Sequence, residues 1–181
     1  MSSNEKTTFD FGNGPVAAHQ HPNGGGWVAD TATVGDTARV SIDAWVFGDA
    51  QVCDNAKIYG NAKVCGNALV SGNAEVYGNA QVSGDAKVYG KIKITGNAVI
   101  KVGDFFGEAI ITQDPIVIVS GKTQVILTPD CVICGLTYSM PISKWFQLTD
   151  QQIRSFSGPL YEILITYLEK YTSPEKPPPH E

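Results

Sequence analysis

Residues 52–87 read VCDNAK, IYGNAK, VCGNAL, VSGNAE, VYGNAQ, VSGDAK, one six-residue phrase repeated without an insertion. The phrase extends in both directions, from Trp27 to Val99. An aliphatic residue recurs at Val28, Val34, Val40, Val46, Val52, Ile58, Val64, Val70, Val76, Val82, Val88, Ile94 and Ile100. Four residues after almost every one of them stands an alanine, from Ala32 through Ala38, Ala44 and Ala50 to Ala98. A strict short period means one structural unit stacked on itself. A helix cannot carry it, because a spacing of six does not return to one helical face and nearly every phrase holds a glycine.

Short strands do carry it. The alanine and the aliphatic residue two positions later point to the same side of a strand, and their neighbours point to the other. The Gly–Asn or Gly–Asp pair then turns a corner, since glycine reaches positive φ without strain and Asn and Asp bond to nearby backbone. Three strand-and-corner units close a triangular turn of eighteen residues, which makes a parallel β-helix. Its interior is a stack of Val and Ile with Ala beside them, each buried Val or Ile worth roughly 1.5–3 kcal/mol.

With A-x-V-x-G-N phrases preceded by Gly24-Gly25-Gly26-Trp27-Val28-Ala29, residues 27–103 resemble the left-handed parallel β-helix of the hexapeptide-repeat proteins, in particular a bacterial and bacteriophage subgroup of them. The resemblance implies the left hand, which spacing alone does not. It also implies a homotrimer. One departure stands out. Many enzymes of the family place a small residue directly after the aliphatic one, whereas here that slot holds Ser, Tyr, Cys, Phe or Thr and the glycine follows one later.

The expected organisation is an N-terminal arm over residues 1–26 with little regular structure, the repeat over 27–104 and a non-repeat β segment over 105–140. C-terminal helices over 141–172 and a disordered tail over 173–181 follow. After Gly103 the six-residue rule fails, and short strands are expected at Ala109–Thr112, Ile116–Val119 and Val125–Thr128. Thr149 and Gln152 form a capping box. Leu160, Ile163, Leu164, Tyr167, Leu168 and Tyr171 make an apolar stripe at helical spacing.

The chain has 181 residues and a formal charge of −5, with both signs scattered. No basic stripe suggests nucleic acid. No apolar run approaches a membrane span, and Met1–Lys6 is polar, so neither a membrane anchor nor a secretory signal is expected. Four cysteines beside a long core fit a reducing cytoplasm better than a disulfide framework.

The eighteen-residue turn sorts the outward residues onto three faces. Trp27, Trp45 and Phe47 stack on the first, an apolar patch that needs a cover. A subunit interface is the expectation there, with Phe9 and Phe11 of the arm as the competing cover. Lys57, Tyr59, Tyr77 and Lys93 share the second face and are the candidate ligand-binding residues.

Acyl transfer from acetyl-CoA is the activity that much of the family implies, with a histidine base near a cleft between neighbouring β-helices. The repeat holds no histidine; His19 and His21 lie in the arm and His180 in the tail. Nor is there a histidine trio of the kind that the zinc-binding branch implies. Cys131 and Cys134 have the spacing of half a zinc site without a second pair and read as a strand. Cys53 and Cys65 fall on different faces. No catalytic residue, metal or cofactor is assigned. The expectation is a non-catalytic binding or scaffold protein, a bacteriophage accessory protein that binds a host protein or sequesters a small anionic metabolite or nucleotide. The alternative is an acyltransferase-like enzyme.

Overall fold

The computed structural model of the chain describes residues 7–120, 123–128, 131–134 and 138–141. From Trp27 to Ile111 the chain winds as stacked coils whose strands pair parallel with the strand one turn away. Trp27 stands beside Trp45, Gln51 beside Leu69, and Lys57 beside Glu75, each pair separated by the eighteen residues of one turn. The fold is mainly β, a parallel β-solenoid. Two faces are five-stranded sheets and the third is seven-stranded.

The inside and outside assignments follow the phrase. Every recurring aliphatic residue except Val34 is fully buried, and so are the alanines from Ala38 to Ala98. Val34 lies in the first turn, where no further coil covers it, and is only half-buried. At the corners, the glycines from Gly48 to Gly96 adopt φ between +60° and +86°. The same slot holds Asp54 at φ +58°, and its carboxylate accepts the Gly72 backbone N–H of the next turn at 2.9 Å. Asn61, Asn79 and Asn97 run up one corner as an amide ladder, with links of 3.2 and 3.1 Å.

Two segments differ from the sequence-based expectation. The coil does not stop at Gly103: Asp104–Phe105 pairs with Lys87–Val88, and Glu108–Ile111 pairs with Lys91–Ile94. This last turn has seventeen residues instead of eighteen, so Phe105 takes the core position above Val88 and is fully buried. Beyond it, Ile116–Ser120, Thr123–Leu127, Cys131–Cys134 and Tyr138–Pro141 form an antiparallel four-stranded meander. Its Ile126 joins the coil's core. The expected C-terminal helices and tail lie outside the described residues.

The arm is also more ordered than expected. Thr8–Asp10 and Pro15–Gln20 form a hairpin, and Pro15–Gln20 pairs antiparallel with Trp27–Ala29. Its turn is held by the Asp10 carboxylate, which accepts the backbone N–H groups of Gly12 and Gly14 at 2.7 and 3.0 Å. The hairpin therefore extends the first face and removes one open edge of the solenoid, the kind of edge that invites unwanted pairing. A second edge is closed by the turn at Asn23–Gly26. There Val40 N–H donates to Asn23 O, Gly26 N–H donates to Val40 O, and the Asn23 side chain donates to Ala38 O. Gly24 belongs here, because a Cβ on it would stand 2.3 Å from Val40 O.

Phe9 stacks on Trp27 at 4.5 Å between ring centroids and meets Trp45 edge-on at 5.4 Å, while Phe11 stacks on Phe47 at 4.9 Å. Phe11 is buried. Phe11→Ala should therefore cost about 3 kcal/mol of stability, within the range for truncating a buried ring. Denaturant melts of the two proteins measure it. A loss below about 1 kcal/mol would mean that the hairpin contributes little to holding the coil.

Candidate functional site

The second face is built by Arg39–Val40, Lys57–Ile58, Glu75–Val76, Lys91–Ile94 and Glu108–Ile111, each above the last. In each strand Val or Ile points inward, so its neighbours must face out. Three outward columns result. Arg39, Lys57, Glu75, Lys93 and Ile110 form the middle one. Ser41, Tyr59, Tyr77 and Thr95 flank it on one side, and Asn73, Lys91 and Glu108 on the other.

The structure brings Lys57, Tyr59, Tyr77 and Lys93 together and adds a residue that the sequence reading did not assign. Glu75 sits between them. Lys57 Nζ donates to its Oε1 at 3.3 Å, Tyr59 Oη donates to Oε2 at 3.2 Å, and Lys93 Nζ lies 3.6 Å from Oε2. The Tyr59 and Tyr77 rings stack at 5.1 Å with only 7° between their planes. One carboxylate is thus shared by two ammonium groups and a phenol, and one positive charge is left over. The only warning in the sequence was the register: Glu75 stands between Lys57 and Lys93 at eighteen-residue spacing.

The cluster's titrations follow from these contacts. Partial burial pushes the Glu75 carboxyl up, but hydrogen bonds from Lys57 and Tyr59 and the charges of Lys93 and Lys57 outweigh it, so the net direction is down. Tyr59 moves from the ordinary 10.0 to about 12, through burial first, then the charge and hydrogen bond of Glu75, then Tyr77. The signs are opposite. Glu75's contribution to stability is present above the ordinary carboxyl value of 4.5 and is lost as the pH falls through its lowered folded value. Tyr59's contribution is present below pH 10 and is lost as the pH rises through about 12. Glu75→Gln should bring the Tyr59 ionisation down toward 10, leaving only the part caused by burial and Tyr77. An ultraviolet titration of tyrosinate absorbance reads this. An unchanged titration curve would show that Glu75 does not govern the phenol.

A cavity of about 540 Å³ adjoins the cluster, lined by Asn73, Glu75, Lys91, Lys93, Glu108, Ala109 and Ile110. Lys91 Nζ lies 4.0 Å from the Glu108 carboxylate, with both side chains well exposed, so this pair contributes little to stability.

The other candidate residues are placed apart from this face. Trp27, Trp45 and Phe47 lie on the first face under Phe9 and Phe11, and Lys63 Nζ stands 4.3 Å from the Trp45 ring. Phe9 and Phe11 of the hairpin stack on these rings, which leaves Trp27, Trp45 and Phe47 partly buried within the single chain. His21 is buried in the turn that closes the coil's end, with Nδ1 3.4 Å from Asn23 O. His19 is exposed, and its Nδ1 lies 3.1 Å from Asp30 Oδ1. His180 lies outside the described residues. Cys131–Cys134 is a strand, as expected. Among the described residues no group of His, Cys, Asp and Glu could hold a metal ion, and no helix is long and apolar enough to cross a membrane. Burial raises the thiol pKa of Cys53, reinforced by the Asp54 charge, and that of Cys65 despite Lys63 nearby. Both are poor nucleophiles at neutral pH. In comparisons with known proteins, the chain matches no family model, no curated protein and no solved structure.

Proposed function

We propose that the chain is a non-catalytic binding protein that recognises a small anionic molecule on its tyrosine face. The observation that carries this is the shared Glu75 carboxylate. It gathers Lys57, Lys93 and Tyr59 beside a stacked tyrosine pair on a ladder of paired strands. Polar groups fixed before a ligand arrives lose little entropy when it binds. The excess positive charge of the cluster favours an anion, and the cavity beside Lys91 and Lys93 offers it room. The resemblance of the repeat to the hexapeptide-repeat proteins supports a left-handed coil and a homotrimer. Its bacteriophage subgroup supports an accessory role in the cytoplasm of a host, with a host protein as the other class of partner.

Native mass spectrometry of the full chain purified from its source cell tests this reading. The expected result is a trimer mass that carries a small-molecule adduct, lost in Glu75→Lys. A bare chain mass, or an adduct unaffected by Glu75→Lys, would overturn it.

A second reading, an acyltransferase-like enzyme, has one observation in its favour. The Asp30 carboxylate beside His19 orients the imidazole as carboxylates orient general bases. Turnover of acetyl-CoA that disappears in His19→Ala would establish it in place of the first.

A further inference from the structure

We propose that the face of the Tyr77 ring turned away from Tyr59, over Thr95, is a stacking slot for a planar aromatic ring whose anionic group reaches Lys93 and Lys91. The proposal rests on the tyrosine face being the binding surface and specifies the ligand's chemistry. Tyr59 covers one face of the Tyr77 ring, with the planes nearly parallel. The other face is turned toward the next rung, where the column continues with Thr95, a half-buried and much smaller side chain.

Neighbouring rungs of a parallel ladder lie about 4.8 Å apart. This lies within the range of about 4.5–7 Å over which aromatic rings stack. A ring seated above Thr95 would therefore continue the Tyr59–Tyr77 stack by one step, at the spacing the protein already uses. Every nucleobase or comparable heterocycle has such a π-face, so stacking selects flatness and not sequence or substituent.

The charge that belongs with this ring is set by the columns beside it. Lys93 shares the rung with Thr95 and is two residues away along the strand, about 6.6 Å. Lys91 lies two residues further, at the edge of the cavity. Lys93 shares its carboxylate partner with Lys57. The Lys91–Glu108 pair is loose at 4.0 Å. An anionic group one or two strand residues from the ring would meet both ammonium groups and enter the cavity, while the ring stays over Thr95. A nucleoside monophosphate has this shape, with a flat base at one end and a phosphate at the other.

The test uses the full chain and three probes: adenosine 5′-monophosphate, adenosine and inorganic phosphate. Binding is followed by calorimetry and by backbone amide shifts. The nucleotide should shift the Tyr77, Lys93 and Thr95 amides and bind at least about tenfold more tightly than either part alone. Tyr77→Ala should weaken it by about tenfold or more. Thr95→Phe fills the slot with a third ring and should abolish binding without loss of fold, which thermal melting checks. No nucleotide binding by the wild-type chain, or undiminished binding by folded Thr95→Phe, would overturn the slot. If the slot fails while Glu75→Lys still removes the adduct seen by native mass spectrometry, the tyrosine face remains the binding surface. If both fail, the binding reading falls with it.

Discussion

Val76→Asp should leave no folded population at room temperature. Val76 is fully buried in the middle of the stack, paired with Ile58 below and Ile94 above. A carboxylate there has no hydrogen-bond partner to replace water, because the core around it is Val, Ile and Ala. The cost combines a lost aliphatic side chain with an unpaired buried charge, and it should exceed about 5 kcal/mol, enough to offset the whole stability of an ordinary domain. Circular dichroism and a thermal melt measure it. The matched control is Gln81→Ala, since Gln81 is exposed on the next strand and should change stability by less than about 0.5 kcal/mol. Two controls that the repeat alone would suggest, Lys63 and Glu75, are unsuitable. Lys63 lies over the Trp45 ring, and Glu75 holds three partners. A cooperative melt for Val76→Asp near the wild-type midpoint would overturn the inside–outside assignment of every phrase.

Gly66→Ala should be strongly destabilising even though Gly66 stands at an exposed corner. Gly66 has φ +68°, and a Cβ on it would stand 2.8 Å from the backbone nitrogen of Gly84 in the next turn. The left-handed conformation costs a side chain about 1–2 kcal/mol, and separating two hydrogen-bonded turns adds to that. We expect a loss of about 2 kcal/mol or more, read from denaturant melts. Asn at the same site should lose less. The precedent is Asp54, which occupies an equivalent corner at φ +58° and returns a hydrogen bond to Gly72 N–H. Equal losses for Ala and Asn would mean that steric clash alone, not backbone conformation and its capture by a side chain, decides who can stand at a corner.

These two cases show what could be read from residues. Val/Ile and Ala at fixed spacing place the core without reference to anything distant, because burial in a stacked coil depends only on position in the phrase. The three faces follow from the same arithmetic, so Lys57, Tyr59, Tyr77 and Lys93 could be grouped in advance. The pairing within the group could not. It depends on which side chains are long enough to meet, and Glu75 reads as one more outward residue until its oxygens are seen between the two lysines.

The hairpin was missed for a different reason. Its signals were present, with Gly12-Asn13-Gly14 as the turn and Phe9 and Phe11 two apart on one side of a strand, but they were outweighed by the Gly, Pro and Asn content of the arm. The last turn was missed because its period drops to seventeen and Phe105 replaces the usual small aliphatic residue. A periodic reading ends where the period changes, even though the sheet continues.

The proposed binding surface is the tyrosine face. The most direct measurement is lysine acylation mapped by mass spectrometry, on the chain as isolated from its source cell and on the same chain stripped of bound small molecules. Lys57, Lys91 and Lys93 on the tyrosine face should be protected before stripping and reactive after it, while Lys63 and Lys87 on the other two faces react equally in both. Equal reactivity of Lys57 and Lys93 before and after stripping, or protection confined to Lys63 or Lys87, would contradict the account.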